Sequence, residues 1–186
     1  GAFMSLLNIS FLNEAINEKN ISEPHLILNH VRERLIQNME NAQDGMDAIL
    51  MKFNVQPFDE TQGKGSKFKV EYAAANNHSV LIRDNEIREL PFDKMPVGKG
   101  DKMNSFTLQE LEIQKGDSLY LFTDGFADQF GGPKGKKYKY SNLQKLLLEN
   151  VKVKLETQYN KLENIFNDWK GELEQVDDVC VIGIKL

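Results

Sequence analysis

The residues of this chain best placed to do chemistry are carboxylates at the ends of apolar runs. Leu119, Tyr120, Leu121 and Phe122 form an apolar run of strand length, opened by a Gly116-Asp117 turn and followed directly by Thr123-Asp124-Gly125. A strand end holds such an aspartate rigidly, and Gly125 is expected to turn the chain through φ angles closed to other residues. The plain alternative is a simple turn, since Asp-Gly is among the commonest turn pairs. A second acidic pair, Asp177-Asp178, opens the last apolar run. Asp124 and Asp177 are far apart in sequence, so only folding brings them together, and each stands at an expected strand end. Two carboxylates held close repel, and one has its pKa raised unless a cation neutralises the pair. Oxygen donors without neighbouring His or Cys suit Mg²⁺ or Mn²⁺ rather than zinc.

The remaining candidates are weaker. Asp44-Gly45-Met46-Asp47 stands beside an expected turn before a strand, where turn formation and capping compete with a ligand role for Asp44. Cys180 is the single cysteine, which excludes an intrachain disulfide and a thiolate zinc site; a buried spectator in an apolar strand is expected. His25 and His30 are five residues apart, off the four-residue spacing of a helical metal pair, and read as boundary histidines. His78 belongs to a turn. The Gly-rich segment 131–137 lacks the spacing and the trailing Ser or Thr of a phosphate-binding loop, and is expected to be a mobile flap.

The elements that must position these groups follow from periodicity. Met4, Leu7, Phe11 and Ala15 make one helical stripe, which Asn20 ends. Ser22 and Pro24 open a second helix whose buried face is Ile27, Val31, Leu35 and Met39. Residues 41–45 turn the chain and the period changes. Strands are expected over 48–55, 67–74, 80–83, 86–90, 105–113 and 116–123, with polar loops at 56–66 and 92–104 and a two-residue turn at Asp84-Asn85. Ser141 is the expected cap of a helix carrying Leu143, Leu146 and Leu147. Leu155, Tyr159, Leu162, Phe166 and Trp169 mark an amphipathic helix buried against a sheet, and 178–186 is the closing strand. This pattern argues for α+β, with helices layered on antiparallel sheet.

Composition agrees with one soluble globular domain over residues 1–186: 40% hydrophobic, 27% charged, net charge −5. No basic field recruits nucleic acid or an anionic membrane, and Lys134, Lys136, Lys137 and Lys139 read as a solvated loop. No signal-peptide pattern or apolar run of membrane-spanning length is present, so a cytoplasmic location is expected.

The run Gly116-Asp117-x-Leu119-x-Leu121-Phe122-Thr123-Asp124-Gly125, with Asp177-Asp178-Val179, resembles the SpoIIE-like branch of the PP2C metal-dependent Ser/Thr protein phosphatases. Ala73-Ala74-Ala75-Asn76-Asn77, Met95-Pro96-Val97-Gly98 and Trp169-Lys170-Gly171 extend the resemblance almost end to end. It implies two stacked antiparallel sheets between helices, and two Mn²⁺ or Mg²⁺ ions that activate a water for in-line attack on phosphoserine or phosphothreonine. Asp124 matches the Thr-Asp-Gly ligand and Asp177 the first acidic residue of the last motif, with Asp178 the alternative if the register slips by one. The substrate implied is a phosphorylated regulatory protein, and the domain is expected downstream of a sensor module, with helices over 5–17 and 24–39 as regulatory elements.

Gly1-Ala2-Phe3-Met4 matches the end of the family's opening segment, so the strands carrying its bridging aspartate are expected to be missing. The expectation is a fragment with weak or no activity and exposed sheet edges that invite dimerisation. Two alternatives remain: a non-catalytic domain that binds a phosphoprotein or regulator, and a structural metal-binding domain.

Overall fold

The computed structural model describes residues 2–38, 45–54 and 67–186. In chain order, α1 (Ala2–Asn13) runs into a π-helical turn (Glu14–Glu18) and is followed by α2 (Pro24–Asn38). Strands β1 (Gly45–Met46), β2 (Ala48–Asn54), β3 (Lys67–Ala75), β4 (Ser79–Arg83), β5 (Glu86–Glu89), β6 (Val97–Gly98), β7 (Gln109–Gln114) and β8 (Ser118–Phe122) come next. Then follow the one-turn helix α3 (Gly125–Asp128), β9 (Phe130–Gly131), β10 (Lys136–Lys137), α4 (Tyr140–Asn150), α5 (Leu155–Lys170) and β11 (Val181–Lys185). All strand pairs among the described residues are antiparallel. The α+β expectation therefore holds. The elements fall into two compact units: Gly1–Asn77 with Pro91–Gln114, and His78–Leu90 with Lys115–Leu186.

The first unit packs α1 and α2 on the sheet β2-β3-β7. Phe11 and Ala15 are buried on the expected stripe, and Asn20 ends the helix at φ 54. Pro24 opens α2, where its missing N–H costs nothing, and Ile27, Leu28, Val31 and Leu35 enter the core beside Ala73 and Ala75 of β3. Met39 and the loop 56–66 lie outside the described residues, as does the 41–45 turn except Gly45. Two expectations are corrected. The 92–104 loop contains β6, which pairs with β1. The strand expected from Ser105 begins at Gln109, because side chains satisfy the preceding backbone: Phe106 N–H donates to Asn29 Oδ1 (3.0 Å) and Thr107 N–H to Asp93 Oδ2 (2.8 Å).

The second unit is the sheet β11-β8-β4-β5 with α3, α4 and α5 packed on it. Asp84 (φ 49) and Asn85 (φ 65) close the β4–β5 hairpin with both central residues left-handed, as a two-residue turn that matches strand twist requires. Val80, Ile82, Tyr120 and Phe122 pack with Phe126, Leu143, Leu147 and Phe166. Burial pushes the Tyr120 hydroxyl pKa up, against the opposing effect of its 2.7 Å hydrogen bond to Gln158 Oε1. Asp117, expected only as a turn residue, is 1% exposed and takes a two-pronged ion pair from Arg83 (Nε–Oδ1 2.9 Å, Nη2–Oδ2 2.7 Å).

Four further expectations change here. The Gly-rich 131–137 segment, expected without regular structure, forms a hairpin of β9 with β10. Lys139, not Ser141, precedes α4, at φ 78, and its carbonyl accepts from Asn142 N–H and Leu143 N–H. Cys180 is exposed, because alternation along the chain turns Val179 and Val181 into the core and Cys180 away from it. On α5, Phe166 is buried and Leu162 and Trp169 pack beside it, while Leu155 and Tyr159 at its start are exposed.

Candidate active site

Asp124 and the Asp177-Asp178 pair meet at one end of the β8–β11 pairing. The antiparallel register Val181–Phe122 continues one residue outward, where Thr123 N–H donates to Cys180 O at 3.0 Å. The Thr123 hydroxyl donates to Asp178 O (2.8 Å) and accepts from Cys180 N–H (2.9 Å), so one side chain joins both strand ends. Asp124 has helical angles (φ −71, ψ −20) and starts α3, with Asp128 N–H donating to its carbonyl at 2.9 Å. Its side chain caps no backbone N–H of that helix.

Gly125 is needed for a reason other than the one expected. Its φ is not among the left-handed values, which occur at Gly116, Gly132, Gly135 and Gly171. A Cβ at Gly125 would instead sit 3.0 Å from the Asp178 carbonyl carbon, 3.2 Å from Asp177 O, and closer still to Asp178 O. The glycine is a close approach of two backbones, and it brings the residue after Asp124 directly onto the Asp178 carbonyl. Asp124 is half-buried, and Asp177 and Asp178 are exposed. Asp177 Oδ1 accepts from Asp178 N–H at 2.7 Å, which holds that carboxylate in one orientation.

Residues 171–180 are in neither helix nor strand, and what anchors them is Gln129, which has no exposed surface. Its Nε2 donates to Glu174 O and Phe130 O (3.0 Å each), and its Oε1 accepts from Val176 N–H at 3.2 Å. Its backbone carbonyl accepts from the Trp169 indole (3.0 Å) and from Tyr138 N–H (3.0 Å). Gly131 and Gly132 let Trp169 approach: a Cβ on Gly131 would overlap the Trp169 carbonyl, and one on Gly132 would lie 2.6 Å from the indole ring. Thr123, Gln129 and Trp169 were not legible as site residues. Only Gly131-Gly132 signalled an unusual backbone there.

Carboxylate oxygens suit a hard divalent cation in kind. Among the described residues no three His, Cys, Asp or Glu side chains gather into a cluster able to hold an ion. Mg²⁺ needs no such cluster, since it is commonly held through one or two carboxylates, with waters and substrate phosphate oxygens completing its shell. Asp124, two residues past the end of β8, and Asp177 and Asp178, in the irregular segment before β11 rather than at the strand end expected for them, are the oxygen donors such a mode would draw on. Asp44 lies outside the described residues. Its neighbour Gly45 pairs with Gly98, and Asp47 Oδ1 accepts from Asn76 Nδ2 at 3.1 Å. Among the described residues no helix is long and apolar enough to cross a membrane.

The family model for Stage II sporulation protein E (SpoIIE) matches residues 1–186. The chain belongs to the SpoIIE family. Its fold is that of PP2C phosphatase domains. The SiaA-PP2C domain of Pseudomonas aeruginosa superposes with a TM-score of 0.82 at 22% identity, over 100% of this chain and 70% of that one. PppA of the same organism gives 0.62 at 13% identity (100% and 80% covered). The PPM Ser-Thr phosphatase MsPP from Mycobacterium smegmatis gives 0.57 at 14% identity (98% and 81%). No curated protein matches the chain.

Proposed function

We propose that this SpoIIE-family domain is a protein serine/threonine phosphatase that hydrolyses phosphoserine or phosphothreonine with a metal-activated water. The observation that carries the reading is the meeting of Asp124 with Asp177-Asp178 through Thr123 and Gly125. Asp124 and Asp177 would hold the metal, with Asp178 beside them. Bound there, Mn²⁺ or Mg²⁺ supplies the positive charge that acidifies a water and offsets the charge of the phosphoryl group. The chain's own part is positional. Asp124 stands at the junction of β8 and α3, Thr123 ties that junction to the 178 carbonyl, and the Asp178 N–H orients the Asp177 carboxylate. Exposure of Asp177 and Asp178 leaves room for a phosphorylated side chain on a protein surface.

The substrate in this reading is a phosphorylated regulatory protein and the setting is signal transduction, with a sensor module elsewhere in the full protein. Among the described residues β11 has no strand on its outer side, so that edge is a place for a second copy to pair. A second reading, from a different class, is a non-catalytic phosphoprotein-binding domain.

The test is hydrolysis of p-nitrophenyl phosphate and of a phosphoserine peptide with Mn²⁺, using the full-length protein. Since outer-shell changes alone cost 10–100-fold in metal sites, Asp124→Asn is expected to lower turnover by about 100-fold or more. Wild-type turnover that survives Asp124→Asn removes the metal assignment. Phosphopeptide binding without turnover in the wild type selects the second reading.

A further inference from the structure

We propose that Gln129 is a positioning residue for the Asp177-Asp178 carboxylates, which makes it part of the phosphatase machinery although it touches neither metal nor substrate. The inference rests on the phosphatase reading for its functional consequence and on geometry alone for its structural one. A glutamine with no exposed surface is costly unless both ends of its amide are bonded. Here they are, and the partners are specific: the amide donates to Glu174 O and accepts from Val176 N–H. A carbonyl and an N–H on either side of one residue are the two groups that a single residue of a parallel neighbouring strand would bind. The Gln129 side chain thus plays the part of one residue of such a strand, and it gives the irregular 171–180 segment a partner where no strand of the described residues supplies one.

The placement explains why this matters for the carboxylates. Val176 immediately precedes Asp177, and Gln129 immediately follows α3, which Asp124 immediately precedes. Asp124, α3, Gln129, Val176 and Asp177 therefore form a ring, closed on its other side by Gly125 against Asp178 and by Thr123 to Asp178 O. Without the Gln129 bonds the ring opens on one side, and an exposed loop with few bonds of its own samples many positions. Trp169 fixes Gln129 in turn by donating its indole N–H to the Gln129 carbonyl.

Gln129→Met keeps the length and removes all three side-chain bonds. In the full-length protein it is expected to raise the Mn²⁺ dissociation constant, measured by calorimetric titration, by about tenfold, as outer-shell changes at metal sites do. Amide exchange should quicken at Val176 while the β8 amides stay protected. A merely structural glutamine would lower the melting temperature and leave Mn²⁺ affinity and the Val176-to-β8 exchange ratio unchanged, and that result overturns the proposal. Trp169→Phe, which removes the indole donor together with part of the ring packed on Gly132, is read by the same two measurements if the Met variant does not fold, with a smaller shift in the same direction expected. Asp124→Asn, run in parallel, separates the two ideas. If it leaves Mn²⁺ binding intact, the metal assignment fails. If it abolishes binding while Gln129→Met changes neither readout, only the role of Gln129 fails.

Discussion

Gly125→Ala is the sharpest perturbation of the site, because helix propensity and packing pull in opposite directions. Gly125 begins α3 with no left-handed φ, so on backbone grounds alanine should be tolerated, and helix propensity would favour it by up to about 1 kcal/mol. The space decides otherwise. Ordinary contact begins at 3.4 Å, whereas the added Cβ would lie 3.0 Å from the Asp178 carbonyl carbon and nearer to its oxygen. Both obstacles are backbone, so no side chain can rotate away; the peptide carrying the Asp178 carbonyl must retreat. Overpacking of this kind costs about 1–3 kcal/mol in stability. The larger consequence is geometric, since a displacement of about 1 Å at a positioned group can cost on the order of 100-fold in rate. The variant should therefore lose about 10- to 100-fold in kcat on p-nitrophenyl phosphate with a modest fall in melting temperature. The assay is Mn²⁺-dependent turnover beside a thermal melt on the same preparation. Wild-type turnover together with raised stability would mean that the two backbones do not approach as described, and the argument for a joint site would fall with it.

Two other outcomes follow from the same unit. Thr123→Val keeps the shape but removes the hydroxyl bonded to Asp178 O and Cys180 N–H, which should cost about 1–3 kcal/mol in a chemical-denaturation midpoint analysis and lower Mn²⁺ affinity. Arg83→Met removes the guanidinium from the buried Asp117 carboxylate and should destabilise the protein by about 2–3 kcal/mol, below the range for fully buried pairs because Arg83 is partly exposed. The double variant Arg83→Met/Asp117→Leu should recover part of that loss; an additive loss in the same denaturation experiment would deny the coupling.

Much of the architecture could be read from local signals. Asn20, Pro24 and Asp84-Asn85 act through their own φ angles or missing donors, so helix ends and the β4–β5 hairpin came out where composition placed them. Alternation of apolar residues located β3, apolar runs located β2 and β8, and Asp124 and Asp177 stood out by residue type, although the closing strand expected from Asp178 begins only at Val181. Where distant groups intervene, local signals misled. The start of β7 was displaced by Asn29 and Asp93, the cap of α4 went to Lys139, and Cys180 turned outward because its neighbours claimed the core.

By itself, then, the sequence determined the class of fold, the run of elements and the oxygen character of the site, because these depend on periodicity and side-chain chemistry. Only the tertiary structure decided that Gly125 is required by the backbone of Asp178 rather than by its own φ. It alone showed that Thr123 bonds across the strand ends, and that a buried Gln129 anchors the segment carrying Asp177 and Asp178. Each of these is a contact between segments about 45 to 55 residues apart. Nothing in a stretch of chain records which distant backbone it will meet, so such contacts become visible only once the fold has closed.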